Sequence, residues 1–155
     1  AVAAQGMAKA AEILAGEYSL VTTNVPYLGR GGQNEVLKEF AEKNYAEAKA
    51  DLATVFVARI LRWLIPGGTT AVVTPQNWLF LTGYRKLRER LLKERTWNMV
   101  ARLGPGAFET IGGHVVNVAL ITLSSNRPKP DAVMAGIDAS AAKLATGSRS
   151  VRPRT

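Results

Sequence analysis

The stretch that decides the fold is Ser19-Leu20-Val21-Thr22-Thr23-Asn24-Val25-Pro26-Tyr27-Leu28-Gly29-Arg30. Its first half is short, apolar and β-branched with no helical period, the pattern of a strand buried within a sheet. The run then stops on an amide, a proline and an aromatic ring before it reaches glycine and arginine. Downstream, residues 34–48 place Val36, Leu37, Phe40 and Ala41 at helical spacing with charges opposite. Asp51 is positioned to cap a helix over 52–65, whose apolar face is Leu52, Val55, Phe56, Ile60 and Trp63. Pro66-Gly67-Gly68 is expected to end that helix in a turn. "TTAVVTP" reads as a strand closed by Pro75, and 77–94 as a helix with Leu87 and Leu91 one turn apart on its buried side. Asn77 is the expected cap of that helix. "WNMVARLG" and "VVNVALITL" are two further strands, joined by the glycine-rich loop 104–114.

Strand, helices, strand, helix, strand, strand: this order predicts an α/β layered fold with a largely parallel sheet. Ligands of such sheets bind beyond the carboxyl ends of the strands. Asn24-Val25-Pro26-Tyr27 sits at one such end and Thr74-Pro75-Gln76-Asn77 at the next, so both are candidate sites. The expected organisation is a leader or remnant over 1–16, an α/β unit over 17–125, and a linker or the start of a truncated further module over 126–155.

Composition narrows the chemistry. With 155 residues the chain is one domain's worth, and 47% hydrophobic content suits a globular core. There is no cysteine and one histidine, His114, which excludes disulfides, thiolate metal sites and a histidine cluster for zinc. No uninterrupted apolar run approaches the roughly 18 residues of a membrane span, and the opening residues lack the pattern of a signal peptide. Twenty Lys and Arg against twelve Asp and Glu give a formal charge of +8, which favours polyanionic partners, nucleic acid first, beside the plainer reading of good solubility.

Asn24-Val25-Pro26-Tyr27 resembles the Asn-Pro-Pro-Tyr motif of S-adenosylmethionine-dependent amino-methyltransferases. "KADLATVFVARILRWLIPGG", "TAVVTPQNWLFLTGYRKLRERLL" and "LGPGAFETIGGHVVNVALITL" follow in the order found in adenine-N6 DNA methyltransferases whose target-recognition domain lies C-terminally. Over about residues 17–125 the chain resembles the large methylases of BREX (phage growth limitation) defence systems and related type II restriction-modification enzymes. The resemblance implies a class I, Rossmann-like methyltransferase fold of which only the second half is present, with a mainly parallel sheet and an antiparallel C-terminal hairpin. It implies methyl transfer from S-adenosylmethionine to an adenine flipped out of double-stranded DNA, in the bacterial cytoplasm. The same tetrapeptide also occurs in enzymes that methylate RNA or protein glutamine, and a non-catalytic DNA-binding subunit with a decayed motif is a third reading.

Carried over residue by residue, the resemblance assigns the catalytic acceptors to the Asn24 side chain and the Val25 carbonyl, with Pro26 fixing the turn. Tyr27 and Phe108 would stack on the two faces of the base. Phe56 matches a position near the cofactor's adenine, and Arg30 one near the DNA phosphates. Each has a plainer alternative: a strand-ending turn for the tetrapeptide, core packing for Phe108 and Phe56, a helix cap for Asp51. Val25 departs from the family's proline. It keeps the carbonyl, adds an N–H and frees φ, which is expected to loosen the turn.

The cofactor half of such a fold precedes this strand, and residues 1–16 carry no glycine-rich turn of that kind. With no initiator methionine, the chain is expected to be a piece of a longer protein, without most of its S-adenosylmethionine pocket and without a target-recognition domain. An apolar sheet edge left on the first strand would invite self-association.

Overall fold

The computed structural model describes residues 2–104 and 116–140. Nine elements organise them: α1 (Val2–Ala15), β1 (Tyr18–Asn24), α2 (Glu35–Asn44), α3 (Leu52–Ile60), β2 (Leu64–Pro75), α4 (Arg85–Glu94), β3 (Thr96–Gly104), β4 (Val118–Ser124) and β5 (Ala135–Asp138). The strands form one sheet in the order β1-β2-β4-β3-β5. β1 and β2 are parallel, as are β3 and β5, while β4 runs antiparallel to both β2 and β3. Four strands therefore point one way and β4 alone is reversed, which gives the expected parallel sheet with its antiparallel hairpin.

The helix expected over 52–65 ends early. Asp51 caps it as anticipated, its carboxylate accepting from the Ala53 N–H at 2.8 Å. Yet the chain leaves the helix after Ile60 and is already strand at Leu64. Pro66-Gly67-Gly68 makes a bulge inside β2 instead of a turn before it. Between Tyr18↔Leu64 and Leu20↔Thr69 one strand advances two residues and the other five. Gly67 takes up φ +81°, and a Cβ on Gly68 would stand 2.9 Å from the Tyr18 carbonyl oxygen.

The helix expected from residue 77 also begins late. Gln76–Leu79 and Thr82–Tyr84 are single 3₁₀ turns, and the α-helix starts only at Arg85. Asn77 is the cap of none of these three elements, whose caps are Pro75, Leu81 and Tyr84. It lies inside the first turn, where its carbonyl accepts from Phe80 and Leu81. Two segments without a firm period in sequence carry regular structure: residues 2–15 are α1, and β5 pairs with β3.

One hydrophobic cluster joins Ala41 of α2, Val55, Val57 and Ile60 of α3, and Leu87 and Leu91 of α4 to Val72 of β2 and Ile121 and Leu123 of β4. Alternation along β1 turns Val21 and, one residue beyond the strand, Val25 toward that cluster. Leu20, Thr22 and Asn24 consequently face the other way and are exposed. The sequence thus sends the Asn24 amide outward at the carboxyl end of a strand, with a buried valine beside it as anchor.

Candidate active site

The geometry at the end of β1 is built from three consecutive constraints. Asn24 is exposed, and the Tyr27 hydroxyl donates to its Oδ1 at 3.1 Å. An amide oxygen has a second lone pair, so this bond orients the side chain and leaves acceptor capacity. Val25 is only 3% exposed, and its N–H donates to the Val73 carbonyl at 3.4 Å. The extra N–H that valine brings therefore adds one rung between β1 and β2. The expected loosening of the turn is corrected: the turn is tied at the residue where proline would have left it untied. Pro26 is exposed and Tyr27 half-buried. Burial pushes the Tyr27 phenol above the ordinary tyrosine value, and the Asp51 carboxylate adds to the shift. Tyr27 is accordingly a protonated donor throughout the neutral range.

The segment after the motif is stitched to the start of α3. Besides capping that helix, Asp51 Oδ1 accepts from the Leu28 N–H at 3.3 Å. The Leu52 N–H donates to the Leu28 carbonyl and the Arg30 N–H to the Ala50 carbonyl, both at 2.9 Å. Gln33, 3% exposed, closes the loop from within by donating Nε2 to the Leu28 carbonyl at 3.0 Å. Nothing in the sequence pointed to Gln33; a polar residue before a helix cap reads as solvent-facing.

The other residues singled out in sequence scatter more widely. Arg30 Nη2 is bound by Glu42 Oε2 at 2.5 Å, and Lys49 also pairs with Glu42, so Arg30 is tied to α2. Phe56 is half-buried and packs against the core from α3. Phe108 and His114 lie outside the described residues. The cations of α4 are partly employed within the fold. Arg88 donates to the Trp78 and Leu81 carbonyls at 2.7 Å, and Arg90 binds Glu47 at 2.6 Å. Trp78 is buried, with its indole N–H on Thr74 Oγ1 at 3.0 Å, which fixes the 3₁₀ turn beyond Pro75. Among the described residues no group of three His, Cys, Asp or Glu side chains could hold a metal, and no helix is long and apolar enough to cross a membrane.

The five-stranded sheet with β4 reversed has the fold of class I S-adenosylmethionine-dependent methyltransferases, matching one from Listeria monocytogenes with a TM-score of 0.60 at 14% identity. The chain belongs to the Eco57I restriction-modification methylase family, whose model matches residues 4–107. It is 40% identical over 114 residues to the adenine-specific methyltransferase BrxX of Escherichia coli O9:H4 (strain HS), covering 74% of this chain and 10% of that protein. Among solved structures, the methyltransferase subunit of a type I restriction-modification system from Streptococcus thermophilus superposes with a TM-score of 0.60 at 20% identity, over 81% of this chain and 27% of that one. The type IIL restriction-modification enzyme MmeI, solved in complex with DNA, matches with a TM-score of 0.59 at 18% identity, over 71% of this chain and 16% of its own. This chain thus spans about a tenth of the curated relative's length.

Proposed function

We propose that this chain carries the target-base pocket of an adenine-N6 DNA methyltransferase serving restriction or phage defence, with S-adenosylmethionine as donor. The observation that carries the reading is the outward-facing Asn24 amide, held by Tyr27 beside the Val25 backbone. The N6 amine of adenine is a poor nucleophile because its lone pair is delocalised into the ring. Two acceptors on its N–H groups, Asn24 Oδ1 and the Val25 carbonyl, would draw the nitrogen toward tetrahedral geometry and free that pair. Tyr27 supplies a face for the extruded base. The donor, when bound, would supply the methyl group and leave as S-adenosylhomocysteine, and the amine's surplus proton would pass to water.

The described residues fit the donor poorly. Phe56 is half-buried against the core, and the apolar cleft beside β1 is lined by Ile13, Leu14, Tyr18, Leu20, Val21, Thr22 and Trp63, with no acidic side chain for ribose hydroxyls. This chain's part is the acceptor side of the transfer: to bind, hold and activate the amine. Double-stranded DNA is the proposed partner, supported by the +8 charge and by the DNA-bound state of MmeI. Self-association through the β1 edge belongs to the same proposal.

The test is methylation of adenine in duplex DNA by the full protein that carries this chain, followed as N6-methyladenine. Asn24→Ala should lower kcat about 100-fold or more, the scale for removing one preorganised polar group from a transition state. Methylation that proceeds undiminished without the Asn24 amide, or that falls on another acceptor, would overturn the reading.

A further inference from the structure

The target-base reading requires the Val25 carbonyl to be available, and the sheet should by rights consume it. In a parallel ladder a residue donates its N–H to the residue before its partner and receives, on its carbonyl, the N–H of the residue after that partner. The register Thr23↔Val72, Asn24↔Val73 continues to Val25↔Thr74. The bond from the Val25 N–H to the Val73 carbonyl is the first half of that pattern. The second half would run from the N–H of residue 75 to the Val25 carbonyl. Residue 75 is proline and has no N–H. Among the described residues no other donor reaches this oxygen.

Proline is an unusual choice here, because β2 lies between β1 and β4 and central strands exclude proline. Strand termination does not account for it, since the interruption is one-sided. On the β4 side the pairing runs through Pro75↔Val118 and continues, with the Gln76 N–H on the Asn117 carbonyl at 2.9 Å. Only the rung facing Val25 is missing. Valine at 25 sharpens the need: its own N–H draws the strand end onto β2 and brings the carbonyl to where the next donor would stand.

We infer that Pro75 is a positioning residue of the active site, which keeps the Val25 carbonyl out of the β1–β2 ladder so that the target amine can use it. This rests on the target-base reading above. Pro75→Ala restores the N–H, and kcat should fall about tenfold as one acceptor is diverted, with KM for duplex DNA within about twofold. Placing lactic acid, the oxygen analogue of alanine, at position 75 keeps the methyl side chain without an N–H, and should recover the wild-type kcat. A Pro75→Ala enzyme with unchanged kcat, or a lactic acid variant as slow as the alanine one, overturns the inference. If Asn24→Ala abolishes transfer while Pro75→Ala leaves kcat alone, the target-base reading stands and the role of Pro75 falls. Isotope-edited infrared of a labelled Val25 carbonyl in the unsubstituted protein serves where Pro75→Ala fails to fold. A band that moves to lower frequency on adding target duplex supports the inference, and a β-sheet-paired frequency in the free protein overturns it.

Discussion

At the scale of single residues, the site is an exercise in holding one polar side chain still at the surface. Asn24 is exposed and gains its orientation from the Tyr27 hydroxyl at 3.1 Å. Tyr27→Phe should keep the aromatic face while releasing the amide. A neutral hydrogen bond contributes about 0.5–1.5 kcal/mol net, so kcat should fall roughly 2- to 10-fold with DNA affinity little changed. Because burial raises the Tyr27 phenol, its bond is present below the ordinary tyrosine value and is lost only as pH rises through the still higher folded value. Any alkaline loss of activity below about pH 10 should therefore persist unchanged in Tyr27→Phe, and its disappearance there would contradict the assignment. Val25→Pro exchanges a 3.4 Å rung for a stiffer chain. The lost bond and the reduced freedom of the unfolded state are of similar size, about 1 kcal/mol each, so stability and methylation rate should both change little. A large rise in rate on restoring proline would mean instead that valine had damaged the motif.

At the scale of elements, Asp51 ties the start of α3 to the loop that follows the motif, accepting from Ala53 and Leu28 with the same oxygen. Asp51→Ala should cost about 1–2 kcal/mol through the lost cap, or roughly 3–6 °C in Tm for a domain of this size. Asp51→Asn retains an acceptor and should keep most of that stability, a contrast that thermal melts of the two variants will show. The cap itself was legible in the sequence, because an acidic residue before an apolar periodic run has few other uses. The strands were legible for a similar reason: β-branched runs bounded by Pro and Gly have one good local solution. Helix ends were not. Residues 61–65 continue an apolar helical pattern, yet β2 needs Leu64 beside Tyr18, and the sheet pairing overrides local preference. Likewise Trp78 reads as helix but is buried on Thr74, which holds 76–79 in a tight 3₁₀ turn. The second tie made by Asp51, the inward turn of Gln33 and the carboxylate on Arg30 depend on contacts 5 to 23 residues apart, which no local pattern encodes.

For the whole molecule, the sheet is asymmetric in how it meets solvent. Its two end strands among the described residues are β1 and, at the opposite edge, the four-residue β5, which is exposed along its whole length. Beside β1, Leu20 is 60% exposed, and Ile13 and Leu14 of α1 are each 52% exposed around an apolar cleft of about 440 Å³. Among the described residues nothing pairs with the outer edge of β1, and this edge and the apolar surface reinforce one another, because a second strand laid on β1 would satisfy the first and cover the second. The 155-residue chain on its own should therefore self-associate in a concentration-dependent way. Leu20→Lys places a charge on the exposed face without touching the rungs to β2, and lysine is a common natural guard of sheet edges. It should shift the population toward monomer in light scattering while leaving the melting temperature nearly unchanged. A wild-type chain that stays monomeric across the micromolar range would show that the edge and the cleft are already shielded.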